Sequence, residues 1–153
     1  MCIITKNPKQ IATEDIICYK SLYGDLRATM YSFKYVLGTK YETTIKESNN
    51  WVVVDDEAVK ILRDEIKNEA KAEDLGIRKN YIFNVINSYL HDFGFRCYGQ
   101  GFHSFASLDR LNRSGLNNDN EVAYECIIPA GSEYIIDNNE CIVSNQIIIK
   151  KQI

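Results

Sequence analysis

The sequence predicts an α+β fold, a single domain with a mostly antiparallel, split β-sheet and an inserted helical hairpin. The first observation is the length, since 153 residues make about one domain. The second is the composition, 45% hydrophobic and 25% charged, which is typical of globular proteins. The third is the order of patterns along the chain, which are strand-like, then helical, then strand-like again. We therefore treat residues 1–153 as one domain.

The N-terminal part predicts strands. The stretch "EDIICYKSL" (14–22) is rich in β-formers and predicts a buried strand. In "MYSFKYVLGTKYETTIKE" (30–47) aromatic and apolar residues alternate up to Gly38, which predicts a hairpin or two short strands. "WVVV" (51–54) is a further candidate strand. One face of the alternating segment would be formed by Tyr31, Phe33, Tyr35 and Leu37.

The middle of the chain predicts a helical hairpin over residues 55–93. The acidic residues 55–57 suit the positive end of a helix dipole, and Gly76 fits the end of the first helix. Amphipathic helices normally pack on a sheet, although they can also dock a partner protein. Apolar residues recur at helical spacing, namely Ala58, Leu62, Ile66 and Ala70 in the first helix and Ile82, Ile86, Tyr89 and Phe93 in the second.

The C-terminal part predicts strands again, with one short helix. "GFRCYGQGFHSF" (94–105) is strand-like and interrupted by glycines. Ser107 is placed to cap a helix that runs through Arg113. "SGLNNDN" (114–120) predicts a loop. The last segment, 121–153, predicts three or four strands joined by the turns "PAGS" and "DNNE".

Composition excludes several classes of function. The net charge is −3 and the largest basic patch is Lys150-Lys151, so we expect no nucleic-acid partner. The five cysteines form no CxxC pair, which favours buried, reduced thiols over a metal site. The sequence shows no signal peptide and no apolar run of membrane-spanning length. We therefore expect a cytoplasmic protein that binds no membrane, no metal and no cofactor. The sequence does not predict its oligomeric state.

The stretch "GQGFHSFAS" (99–107) predicts a ligand-binding loop. Its glycines permit close backbone approach, its polar side chains supply donors and acceptors, and the start of the following helix offers N–H groups to an anion. The alternative is that the glycines form a bulge and the serine caps the helix. The spacing does not match the GxSxG motif of hydrolases, and we assign no catalytic residue. The candidate ligand contacts are Gly101, Phe102, His103, Ser104 and Ser107.

Tyr19 and Lys20 form a second candidate binding element. At the end of the first strong strand they would offer an aromatic wall and a partner for phosphate. The alternative is an ordinary strand end with a lysine whose stem lies along apolar surface.

Three blocks of the sequence resemble a family of small uncharacterised proteins from gut Bacteroidales and their phages. The blocks are "MCIITKNPKQIATEDIICYKSL", "GFHSF" and "ECIIPAGSEYIIDNNECIVSNQIIIKK". The resemblance covers about half the chain, and the helical hairpin is then a variable insertion. The resemblance implies that the chain has relatives, but it does not imply any enzymatic reaction.

The blocks "ICYKSL", "GFHSFAS" and "YECIIPAGSEYI" with "NNECIV" are also similar to the three motif strands of the ADP-ribosyltransferase fold. Lys20 stands where that fold carries Arg or His, and Glu140 lacks the ExE spacing. These departures favour a nucleotide-binding cleft over transfer chemistry. The resemblances imply a cytoplasmic protein that binds a nucleotide-type ligand, and in a phage such a protein would sequester a nucleotide immune signal, either ADP-ribose-like or cyclic. The alternatives are an NAD-dependent transferase or glycohydrolase using Glu140, and a protein-interaction module using residues 55–93.

Overall fold

The described part of the chain is built mainly of short strands. The computed structural model describes residues 3–28, 33–48, 91–92, 94–115 and 120–153. Within these ranges there are eleven strands and one six-residue helix, α1. The elements are β1 Ile3–Thr5, β2 Gln10–Ile11, β3 Ile16–Tyr23, β4 Lys40–Glu42, β5 Lys46–Glu47, β6 Arg96–Gln100, β7 Phe102–Phe105, α1 Leu108–Arg113, β8 Glu121–Ile128, β9 Glu133–Ile136, β10 Cys141–Ser144 and β11 Gln146–Gln152.

The strands form two antiparallel sheets. The smaller sheet has the order β1-β6-β5, and the larger one has the order β2-β9-β10-β7-β3-β8-β11-β4. Every pairing between these described strands is antiparallel, which confirms the predicted sheet type. The predicted hairpin 55–93 and the strand 51–54 lie outside the described residues, apart from His91 and Asp92, which are helical.

The larger sheet is buried on both faces. Successive residues of a strand point to opposite sides, so one strand can contribute to two apolar clusters. On β10, Ile142 belongs to one apolar cluster and Val143 to the other. On β3, Cys18 lies opposite Cys126 of β8 and both belong to the first cluster. The buried residues of the first cluster are Cys18, Leu22, Tyr35, Tyr124, Cys126, Ile128, Ile142, Ile147 and Ile149. Those of the second are Ile3, Ile45, Phe105, Leu111, Ile135, Cys141 and Val143.

Several predicted elements are confirmed. The β-former run at 14–22 forms most of β3, and the last segment forms four strands with turns at residues 129–132 and 137–140. Ser107 caps α1, because its Oγ accepts a hydrogen bond of 3.1 Å from the backbone N–H of Arg110. The cysteines are also as expected in the described ranges, where Cys18, Cys97, Cys126 and Cys141 are buried and free.

Of the two predictions for residues 30–47, the hairpin is wrong in its pairing, whereas short strands, β4 and β5, do form there. Tyr35 N–H donates to the carbonyl of Leu26 (3.0 Å), and Lys34 bridges Arg27, so this segment pairs with the residues before it. After the turn at Gly38, β4 pairs with β11 and β5 pairs with β6. The alternation of aromatic and apolar residues is present in this segment. Its strands, however, pair with strands that are distant in sequence and not with each other.

No helix in the described ranges has the length and apolar character needed to cross a membrane.

Candidate functional site

A cleft of about 830 Å³ is lined by residues of both sheets. We call residues 99–103, which run from the end of β6 into β7, the inner wall. The remaining lining residues are Ala28, Tyr35, Thr43 and Ser48. We call Phe33, Tyr41, Glu42, Lys46 and Glu47 the outer wall.

Gly101 is the residue at which the chain leaves the smaller sheet and enters the larger one. Its φ of +143° lies in the region that side chains rarely adopt. A Cβ at this position would overlap Cγ2 of Val143 and lie 3.3 Å from the carbonyl oxygen of Ser144. The change of sheet therefore requires glycine, which gives the inner wall a fixed course.

A β-bulge shapes the neighbouring part of the cleft. Lys46 of β5 lies opposite Gln100 of β6, whereas Glu47 lies opposite Tyr98, so Gly99 is the extra residue. In a regular strand Lys46 and Glu47 would point to opposite faces. Both residues nevertheless line the cleft.

His103 is fixed in one protonation state by its surroundings. Its Nε2 lies 3.0 Å from the carbonyl oxygen of Gly99, which can only accept, so Nε2 carries the proton. Nδ1 is buried and has no hydrogen-bond partner within the described residues. Burial lowers the pKa of His103 to about 4, outweighing the opposing effect of the Gly99 bond, and nearby Lys20 adds to the lowering. His103 is therefore a neutral imidazole near pH 7.

Lys20 supports the inner wall from within the sheet. It lies in the middle of β3 opposite Tyr124, and not at a strand end as expected. β3 pairs with β7 at Tyr19 and Phe105, and the Lys20 ammonium donates to the carbonyl oxygen of His103 at 2.7 Å. Lys20 thus supplies the hydrogen bond that a strand neighbour would otherwise make. It does not line the cleft.

The charge on Lys20 is costly in this position. Burial lowers the pKa of Lys20, and the nearby thiols of Cys126 and Cys18 oppose that shift. The pKa of Cys18 is itself lowered, chiefly by a hydrogen bond from Cys126. Tyr19 points to the other face of β3 and packs against the second apolar cluster. Neither member of the predicted Tyr19-Lys20 element therefore faces the cleft.

The two predicted serines also lie away from the cleft lining. Ser104 is fully buried, and its Oγ has no hydrogen bond of normal geometry in the described ranges, although its hydroxyl helps to lower the pKa of Cys18. Ser107 donates to Oε2 of Glu140 at 3.4 Å while it caps α1. Glu140 also lies 3.7 Å from Arg113. The expected anion cradle at the helix start is thus already engaged by the protein's own groups.

Three aromatic rings form a compact cluster at the cleft. Phe33, Tyr35 and Tyr41 meet edge to face, with ring centroids 4.8, 5.3 and 5.2 Å apart. The Tyr41 hydroxyl accepts a hydrogen bond of 2.8 Å from the backbone N–H of Val36. Tyr35 is buried, and burial raises its pKa to about 12. Phe33 is 45% exposed and therefore presents a ring to a ligand.

Charged groups of both signs line the outer wall. Glu42 lies 3.4 Å from Lys40, and Glu47 lies 3.8 Å from Arg96. Both carboxylates are exposed and Arg96 is half-buried, so each contact is a weak surface ion pair. Lys46 makes no ion pair among the described residues and is the one cation of the described lining.

Sequence reasoning found part of this site. Three of its candidates, Gly101, Phe102 and His103, line the cleft together. The aromatic members of the outer wall were visible as an alternating pattern, but the pattern was interpreted as the face of a hairpin. Lys46 and Glu47 gave no signal, because their place in the cleft depends on the pairing of β5 with β6, which are distant in sequence.

The described residues form two antiparallel sheets that share an open, aromatic-lined cleft. No family model matches the chain, and no curated protein or solved structure is significantly similar to it. Within the described residues no group of three or more His, Cys, Asp or Glu side chains is placed to hold a metal ion. What the cleft binds has to be inferred from its own residues.

Proposed function

We propose that the protein binds a nucleotide-type small molecule in the cleft, with the base against the aromatic cluster and a phosphate near Lys46. The observation that carries the proposal is the exposed Phe33 ring, held edge to face by Tyr35 and Tyr41 at the mouth of a concave site. A base stacks on such a ring without needing a specific hydrogen-bonding pattern.

The size and polarity of the cleft support this ligand class. A volume of about 830 Å³ is within the range of small-molecule sites and is ample for a nucleotide. Thr43 and Gln100 offer hydroxyl and amide groups to a sugar or a base edge. The neutral His103, which donates through Nε2 to Gly99, adds no positive charge to the inner wall near pH 7.

The biological role that we propose is sequestration, in which the protein binds a nucleotide signal without converting it. Sequestration requires only a binding cleft. The four described cysteines are free, which supports a reducing compartment such as the cytoplasm.

The ADP-ribosyltransferase-like fold remains a prediction, supported by two antiparallel sheets that share one cleft. The enzymatic alternative has less support, because Glu140 is exposed at a turn and contacts Ser107 and Arg113 instead of lining the cleft. The interaction module on residues 55–93 also stays a prediction, since almost all of that segment lies outside the described residues.

Titration calorimetry with adenosine, cyclic AMP and ADP-ribose tests the proposal on the wild-type protein and on Phe33→Ala. Loss of the ring should weaken binding at least about fivefold, because stacking of a base on an aromatic side chain contributes roughly 1–3 kcal/mol. Phe33→Tyr keeps a ring and should retain the affinity.

Leu37→Ala is the matched control. Leu37 is 48% exposed, close to the 45% of Phe33, but it does not line the cleft. Its removal should leave affinity unchanged. Absence of heat with all three ligands, or equal weakening by Phe33→Ala and Leu37→Ala, would contradict the proposal.

A further inference from the structure

We infer that the cleft selects ligands with one negative charge, such as a cyclic mononucleotide, over ligands with two, such as ADP-ribose or a cyclic dinucleotide. The inference rests on the proposed function and narrows the ligand class of the same site. It concerns the balance of charge on the outer wall.

The described lining offers one cation against two carboxylates. Lys46 can neutralise one phosphate, whereas Glu42 and Glu47 repel a second one. The partners of these carboxylates, Lys40 and Arg96, are not lining residues and are 3.4 and 3.8 Å from them. Pairs of this kind, which involve exposed carboxylates, leave much of the carboxylate charge available to a ligand.

The cleft is lined by both Lys46 and Glu47, which are adjacent in sequence. A phosphate that contacts Lys46 therefore has the Glu47 carboxylate beside it. If that phosphate is extended into a pyrophosphate, the carboxylate repels the second phosphate.

The two anion-binding elements that the sequence predicted do not compensate for this. The start of α1, which the sequence offered as a phosphate cradle, is outside the lining, and its Ser107 is bound to Arg110 N–H and Glu140. Lys20 donates to the His103 carbonyl and is also outside the lining. Because the volume of about 830 Å³ leaves room for larger ligands, charge and not size makes the selection.

The test compares adenosine, cyclic AMP and ADP-ribose, which share one base and carry zero, one and two negative charges. We expect cyclic AMP to bind about fivefold or more tighter than ADP-ribose at low salt, and the difference should shrink as salt screens the carboxylates. Lys46→Gln should lower the affinity for cyclic AMP to that for adenosine or below it, because the two carboxylates remain, and should leave adenosine binding unchanged.

Glu47→Gln and Glu42→Gln should each strengthen ADP-ribose binding and leave adenosine binding unchanged, because they remove repulsion without removing a ring. Lys9→Gln is the control for a lost surface charge, since Lys9 pairs with Glu133 and lies outside the lining.

The outcomes separate this inference from the proposed function. If adenosine and ADP-ribose bind through Phe33 and ADP-ribose binds tighter than cyclic AMP, the charge inference is overturned and the binding function stands. If none of the three ligands binds, the proposed function fails and the inference fails with it. A Glu47→Gln variant with unchanged ligand preference would also overturn the inference.

Discussion

The two walls of the cleft are built in different ways. The inner wall is held by constraints on the backbone, namely the glycine at the change of sheet, the bulge at Gly99 and the contacts of His103 with Gly99 and Lys20. The outer wall consists mainly of exposed side chains, with two rings of the aromatic cluster and with Lys46, which forms no ion pair within the described part of the chain. The difference teaches that changes in the inner wall should act on stability, whereas changes in the outer wall should act on binding.

Gly101→Ala should have the largest effect on stability. The new methyl group overlaps Val143 and crowds the Ser144 carbonyl, and the φ of +143° is unfavourable for alanine. We expect a loss of about 3 kcal/mol or more in the free energy of unfolding, measured in urea. Gly38→Ala is the control, because Gly38 has φ +76° but open space around its Cβ position, and it should lose only about 1 kcal/mol. Equal losses in both variants would break the comparison.

Acidification should weaken the protein through His103. Its pKa is about 4 in the folded protein against 6.5 for a histidine in water, so the unfolded chain binds the proton more readily. This contribution to stability is complete above about pH 6.5 and is lost as the pH falls toward 4, by roughly 3 kcal/mol in total.

Urea unfolding at intervals from pH 7 to pH 4 measures that dependence. His103→Gln should remove most of the slope, whereas His91→Gln, at the only other histidine and an exposed position, should keep it. A slope that survives His103→Gln would show that other groups cause the acid sensitivity.

Substitutions of outer-wall charges should have the smallest effect on stability. Lys46 and Glu47 are exposed, and the contact of Glu47 with Arg96 is 3.8 Å long. We expect Lys46→Gln and Glu47→Gln to change the free energy of unfolding by less than about 0.5 kcal/mol. Thermal unfolding measures this on the same samples used for binding. A loss comparable to that of Gly101→Ala would show that the outer wall is also structural.

Much of the fold could be predicted because it depends on local patterns. The β-former run of β3, the four C-terminal strands with their turns, and the serine cap of α1 are all signals contained in a few neighbouring residues. The division into two sheets is different, since it depends on which distant strands pair. The segment around Tyr35 shows this, because its aromatic alternation fits a local hairpin, yet β4 pairs with β11 instead.

The candidate site could be predicted from the sequence only where a glycine indicated an unusual backbone conformation. Gly101 indicated a special backbone conformation, and it brings Phe102 and His103 to the cleft with it. Lys20 was assigned to a ligand because a lysine beside a tyrosine suits phosphate, whereas its actual partner is a carbonyl of another strand. Such a contact depends on how far β3 and β7 separate, and no local pattern records that distance.

The hydrogen bond from Lys20 to His103 links the cleft to the centre of the protein. The backbone of Lys20 lies opposite Tyr124 in the central strand pair, while its side chain reaches the carbonyl of the inner wall. Lys20 thus joins β3 to both neighbouring strands. Its main chain lies beside β8, and its ammonium group binds a carbonyl of β7. A displacement of His103 must stretch a bond whose donor is anchored in β3, so the inner wall follows the sheet and does not move as an independent loop.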